Sequence, residues 1–561
     1  MALPTAPFES ARYIGSVIQV EPATVRVNLP HGAAAISSSH AGHRVGKGEV
    51  GEFVVVEGEA HGILGRIAEV RLPDRDRLAV EPASDAHGKP ANPVGVVQLL
   101  LSVDLLSGEA LRGVTMHPRI GQHVFSAHPD LIRHAMENGR SGASEAIVLA
   151  HVPGYSTTEV RYSATEMFGR HCAILGATGG GKSWTVAHLL DEVVRHRGKA
   201  VLFDATGEYR TLSRRVRHVY LGGRPTGPED EREFVSFPYR HLVDGDLFAM
   251  FQPAGGSQSP TLREALTSLK LVKHKPSLAE DGLLKKANRS KAGYNAAFRQ
   301  FEAEIRSQGA DYDIGLLPAQ IEEECVWATN RQQNPDFWGD TNQATLGYCT
   351  TLISRIEVEI RSDELAPIFR PGGLKDVTEV LDEFLGAAEE SVLRISLEHL
   401  PHEHNARELV ANGFGRFLLA RARAGKFLSG PMVLVVDEAH QFLDRSVGED
   451  ANRFRLDSFG LIAKEGRKYG LVTVFSTQRP RDIPEDVLSQ MGMFIVHRLV
   501  NERDRQVVER ACGNLDTAAA AFLPILGQGE ALVVGLETPM TMPVQVLRPI
   551  DEPESLDVEL W

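Results

Sequence analysis

Residues 176–183 read Gly-Ala-Thr-Gly-Gly-Gly-Lys-Ser, and this stretch decides the fold. Gly176, Gly181, Lys182 and Ser183 stand at the fixed places of a phosphate-binding loop. Its surroundings agree with it. Cys172 to Leu175 is an apolar run of strand type, and Ser183 to Arg197 is helical, with Val186, Leu189, Leu190, Val193 and Val194 on one face. Glycines let backbone N–H groups converge on phosphate oxygens, and a helix N-terminus adds positive potential. The nucleotide-binding set is therefore Gly176, Thr178, Gly179, Gly180, Gly181, Lys182, Ser183 and Trp184. Lys182 can reach the β- and γ-phosphates of ATP, and Ser183 can ligate Mg²⁺.

Outward from the loop, strand and helix alternate, which predicts an α/β fold of RecA-like P-loop type with a parallel sheet. Ala200–Phe203 is the next strand and ends at Asp204. Val392–Leu397, Met432–Val436, Val472–Ser476 and Met493–Val496 read as further strands, and Ala406–Ala424 as a helix. Residues 225–385 lose the strand rhythm and read as a helical insertion. Residues 1–160 read as a separate β-rich domain, a small barrel whose short strands, including Ala146–Val152, are punctuated by Gly and Pro. The ATPase core is then 161–224 with 386–561.

Composition narrows the class. The chain has 561 residues and a formal net charge of −14, which argues against a surface coated for nucleic acid but leaves room for a local basic channel. The four cysteines, Cys172, Cys325, Cys349 and Cys512, are scattered without metal-ligand spacing and fit a reduced, cytoplasmic protein. The first residues, MALPTAPFESARY, lack the pattern of a signal peptide, and no apolar run reaches the roughly 20 residues of a membrane helix. The expectation is a protein with no membrane association.

Catalysis needs more than the loop. Asp437-Glu438 ends an apolar strand, the place where P-loop enzymes hold Mg²⁺ and activate water. Asp437 is assigned to the metal and Glu438 to the water. Ser476-Thr477-Gln478-Arg479-Pro480 ends another strand, and Gln478 is the candidate γ-phosphate sensor; a capping turn before Pro480 would read the same way. Asp204, with Glu208 in DATGEY, is a candidate site member, the alternative being a helix cap. Arg467, in the basic turn KEGRKYG, and Arg170, just before the loop strand, are candidates to meet transition-state charge; solvated side chains are the alternative.

The motifs GATGGGKS, DATGEY, VLVVDEAH, AKEGRKYG and STQRP, in this order, resemble the HerA helicases of the HerA–FtsK branch of P-loop ATPases. The barrel is similar to that family's HAS-type domain, and LPILGQGEALVVG resembles its closing strands. DATGEY departs from the family in having Ala205-Thr206 where Pro-His is frequent. The resemblance implies a homo-hexameric ring that hydrolyses ATP between subunits and moves double-stranded DNA. It also implies a partner: a NurA-like nuclease in DNA-end repair, or a sirtuin-like or nuclease effector in antiphage defence. Lys182, Ser183, Asp437, Glu438, Asp204, Arg170 and Arg467 match family positions, with cis or trans action of the arginines left open. Hexamer against heptamer, direction of movement and strand separation are open as well.

DNA contacts are expected in a loop spanning Gln441–Asp457, through Arg445, Arg453 and Arg455. A second basic run, from Lys270 to Lys291, reads more readily as a solvated helical face. An ATP-gated scaffold that assembles an effector, with DNA movement secondary, is the other reading of the whole chain.

Overall fold

The computed structural model describes residues 3–30, 38–40, 43–72, 92–137, 146–153, 155–227, 229–307, 309–443, 445–447, 453–513, 515, 517–536 and 538–554. The chain divides into two compact units. The first comprises Met1–Glu192 and Ser476–Glu552, the second Val193–Phe475 and Pro553–Trp561.

The first unit opens with the barrel. Its strands run in the order Thr24–Asn28, Tyr13–Val20, His123–Ser126, Phe53–Val56, His61–Arg71 and Val94–Asp104, and Thr24–Asn28 pairs back onto Val94–Asp104 to close the ring. Alternation sends Val17, Val25, Val27, Val54, Ile67 and Val97 inward to one core. The Arg66 guanidinium lies 4.8 Å from the Phe522 ring, joining the barrel wall to the unit's carboxy-terminal segment.

Beyond the barrel, the unit carries a sheet in the order Tyr155–Tyr162, Ile147–Val152, Met542–Val546, Glu530–Gly535, Met491–His497 and His171–Leu175. Only the last pair is parallel. Ile147–Val152 thus belongs to this sheet, through Met542–Val546, and not to the barrel. Its alternating pattern suits either location, and only the distant partner strand settles which.

The second unit holds the parallel sheet, in the order Leu471–Thr477, Met432–Val436, Lys199–Asp204, Val392–Ser396, Val216–Leu221, Glu233–Ser236 and Lys375–Asp376. Every residue of Met432–Val436 is buried, as a strand covered on both faces requires. Glu233–Ser236 and Lys375–Asp376 lie inside the segment read as helical. At four and two residues, they are too short to show a period. The helices between them include Asp244–Phe251, Gln258–His274, Ala292–Ile305, Leu317–Glu324 and Gln343–Arg361, and Gln258–His274 packs on Leu317–Glu324. No described helix is long and apolar enough to cross a membrane.

Candidate functional site

The glycine loop leaves the buried strand His171–Leu175 and enters the helix Lys182–Arg195. Gly179 and Gly181 have φ of 72° and 109°, a region that other residues enter only with strain. A Cβ on Gly176 would lie 2.6 Å from the Cβ of His497, and one on Gly181 would lie 3.0 Å from Gly529. The loop is tied down from below: the Ala177 N–H donates to the Arg498 carbonyl at 2.9 Å and the Gly529 N–H to the Gly180 carbonyl at 3.2 Å. Lys182 is 7% exposed and folds back so that Nζ donates to the Ala177 carbonyl at 3.3 Å. That bond is long, so a phosphate can take it over at little cost.

Gln478 lies at this loop. The Thr178 hydroxyl donates to its Oε1 at 2.6 Å. Trp184, in the first turn of the helix, has the Arg548 guanidinium 5.0 Å from its ring. Ser183 is half-buried in the same turn. Arg170 is half-buried just before the loop strand and packs its side chain where a Cβ on Gly492 would fall.

His497 is a residue that motif reading missed. It is fully buried, and its Nδ1 lies 2.9 Å from the Glu530 carbonyl, which can only accept. The proton therefore sits on Nδ1, and Nε2 accepts from the Thr185 hydroxyl at 2.8 Å. Burial, opposed by the Glu530 hydrogen bond and aided by the nearby Lys182 charge, lowers its pKa to about 4. A neutral imidazole thus floors the loop without competing with Lys182 for phosphate.

In the second unit, Asp437 and Glu438 end the strand Met432–Val436 and are 4% and 8% exposed. The Asp437 N–H donates to the Phe203 carbonyl at 3.1 Å. Glu438 has φ 46° and ψ 45°. Left-handed backbone at a non-glycine residue costs on the order of 1 kcal/mol or more and persists where the surroundings force it. His440 Nδ1 stands 3.1 Å from Glu438 Oε2 but out of line, and that oxygen is buried without a hydrogen-bond donor. A buried carboxylate with an open oxygen fits a water held for attack, and a second carboxylate beside it suits Mg²⁺, a hard cation that keeps its waters.

Asp204, the candidate site member at the end of Lys199–Asp204, closes the turn that follows it. It is fully buried, and its carboxylate accepts from Arg394 Nε at 2.7 Å, the Gly207 N–H at 2.8 Å and the Tyr209 N–H at 3.1 Å. It braces the DATGEY turn on Arg394, a partner 190 residues away that no local motif announces. Arg467 is exposed in the short helix Gly466–Tyr469.

The segment 441–457 is not a plain loop. Arg445–Val447 and Phe454–Leu456 pair antiparallel, with Ser446 opposite Arg455. Arg453 and Arg455 are exposed, while residues 444 and 448–452 and the Arg445 side chain lie outside the described part. Four lysines of the basic run in the insertion form ion pairs within it. Lys270 pairs with Asp244 at 2.7 Å, Lys273 with Asp311 at 3.0 Å, Lys285 with Glu323 at 2.7 Å, and Lys286 with Glu324.

A glycine-rich phosphate loop opening a helix, with an Asp-Glu pair closing a buried parallel strand, defines a P-loop ATPase. Residues 147–333 match the central domain of helicase HerA and residues 424–556 the HerA-like C-terminal domain. The chain belongs to the HerA helicase family. The DNA double-strand break repair helicase HerA of Pyrococcus furiosus is 25% identical over 82% of this chain and 78% of its own length. HerA of Sulfolobus acidocaldarius is 25% identical over 65% of this chain and 62% of its own length. VirB4 of Thermoanaerobacter pseudethanolicus covers 72% of this chain and 97% of its own at 15% identity, with a TM-score of 0.43.

Proposed function

We propose that this chain is a ring-forming ATPase that moves double-stranded DNA and powers or activates a partner nuclease or defence effector. The observation that carries the hydrolytic part is Glu438, held in left-handed backbone with a buried oxygen lacking a donor, directly after the metal-type Asp437. Membership of a family whose named relatives are DNA repair helicases supports DNA as the track. In this reading Lys182 and the loop amides grip ATP, and Ser183 and Asp437 hold Mg²⁺. Glu438 takes the proton of the attacking water, and Gln478 reports the γ-phosphate to Thr178. Arg170 or Arg467 meets the developing charge, in a homo-hexamer from the neighbouring subunit. Arg453 and Arg455, with Arg445, touch DNA phosphates from the hairpin.

The test is ATP hydrolysis with and without duplex DNA. Duplex is expected to stimulate the parent, and Lys182→Ala and Glu438→Gln to abolish turnover. A rate indifferent to every form of DNA would sink the translocase reading.

Exposed aromatics on the insertion, Trp327 at 56% and Tyr348 at 66%, favour a second reading in which the ring chiefly scaffolds an effector and ATP sets its state. Effector activity that survives Lys182→Ala would select it.

A further inference from the structure

The second unit contains a cavity of about 660 Å³ in its helical insertion, remote in sequence from every nucleotide motif. Its walls come from Asp244–Phe251, Gln258–His274, Ala292–Ile305, Ser307 and residues 309–312, with Arg416 reaching in from the helix Ala406–Arg423. That volume is within the range of small-molecule sites. Five cations line it, Arg240, Arg263, Lys270, Arg306 and Arg416, against the carboxylates of Asp244 and Glu264, in a chain of net charge −14.

Several of these cations are already committed. Arg240 pairs with Asp376 at 2.6 Å, Lys270 with Asp244 at 2.7 Å, Arg306 with Glu302 at 2.9 Å, and Arg416 with Asp246. Arg263 is not: it is exposed, leans its guanidinium 5.3 Å over the Phe248 ring, and has no carboxylate within ion-pair distance among the described residues. Two buried polar atoms on the lining residues also lack partners, the Tyr312 hydroxyl and Arg416 Nε. Tyr312 is 4% exposed, so water does not satisfy its hydroxyl freely. A buried group left unpaired costs free energy that a ligand contact would recover. One wall is aromatic: Tyr294 and Phe298 stack with centroids 6.0 Å apart and planes 18° from parallel.

We propose that this cavity binds a phosphorylated small molecule bearing a planar ring, of mononucleotide size. Arg263 meets the phosphate, Tyr294 and Phe298 receive the ring, and the Tyr312 hydroxyl and Arg416 Nε pair with its polar edge. Guanidinium groups suit phosphate oxygens, and an aromatic face takes any base by stacking.

The experiment uses the full chain carrying Lys182→Ala, which disables the glycine loop, and measures AMP and inorganic phosphate by equilibrium dialysis. The expected result is one saturable AMP per chain. Arg263→Glu should weaken AMP and phosphate at least about tenfold, an order of magnitude taken from loss of a charge-assisted contact. Tyr294→Ala should weaken AMP and leave phosphate unchanged. Tyr312→Phe should weaken AMP while the melting temperature holds or rises, since the empty protein loses an unpaired hydroxyl; if Arg263→Glu melts early, Arg263→Gln replaces it. Absence of saturable AMP binding overturns the proposal. So does binding that ignores Arg263 and Tyr294, which would place AMP outside this cavity, and so does loss of duplex DNA binding in Arg263→Glu with no AMP bound, which would make the cavity part of a DNA surface.

Discussion

In the proposed mechanism Glu438 is the general base. Its backbone strain and donor-free oxygen are both maintained by burial at the end of a strand. Glu438→Gln keeps the shape and removes the base, so kcat should fall about 10²-fold or more while ATP affinity changes little. Single-turnover kinetics beside nucleotide titration checks this, and equal losses in both would assign Glu438 to binding. Arg394 predicts the opposite kind of defect. It is fully buried against fully buried Asp204, and Arg394→Met leaves that carboxylate without its cation. The cost should be roughly 3–5 kcal/mol in urea unfolding, as for other broken buried pairs. Arg394→Met with Asp204→Asn should recover part of it. The contrast also explains what the chain displayed in advance. Lys182, Asp437 and Glu438 could be singled out as candidates because phosphate and metal chemistry asks for a fixed spacing within a few residues. Arg394 and His497 were not, because their partners, Asp204 and Thr185, lie 190 and 312 residues away.

Among elements, the helix Gln343–Arg361 carries a titration that ties the insertion to the sheet region. Glu359 is 2% exposed, neither carboxylate oxygen has a hydrogen bond, and His404 Nδ1 stands 3.1 Å from Oε1. His404 belongs to the turn before Ala406–Arg423 and has φ of 56°. Burial, partly offset by Arg355, pushes the Glu359 carboxyl from 4.5 up to about 8. The folded pKa lies above the unfolded one, so the unfolded chain releases its proton first as pH rises. Stability from this group is whole below pH 4.5 and is lost progressively towards pH 8. Glu359→Gln has no such proton, so its advantage over the parent should grow across that window, to roughly 3–5 kcal/mol at its upper end by the usual 1.36 kcal/mol per pKa unit. Melting curves at pH 5.5 and 8.5 check this; a constant difference would show that the carboxyl ionises normally. Elements were legible in proportion to their length. The long helix Ala406–Arg423 and the five-residue buried strand Met432–Val436 fell where periodicity put them. Glu233–Ser236 was hidden by brevity and by the acidic run before it, and the pair Arg445–Val447 and Phe454–Leu456 by their three-residue length.

For the whole molecule, the proposed ring makes Arg170 and Arg467 the two candidates to complete the ATP site. Arg467 is exposed and Arg170 half-buried, so Arg467 is the freer to serve a neighbour. In a ring built on head-to-tail interfaces, each site combines one subunit's loop with the next subunit's contribution. Lys182→Ala and Arg467→Ala chains should each be inactive alone. Mixed in equal amounts and reassembled, they place an intact Lys182 beside a neighbour's intact Arg467 at about a quarter of random interfaces. Recovery of about that share of the DNA-stimulated rate would show that Arg467 acts in trans. No recovery from this pair, with recovery when Arg170→Ala replaces Arg467→Ala, would transfer the role to Arg170. If neither mixture recovers while the parent ring hydrolyses ATP, each arginine serves its own loop or the ring fires only when every site is intact. A titration of parent chains into Lys182→Ala separates those two, because a concerted ring loses activity faster than in proportion to the dead subunits.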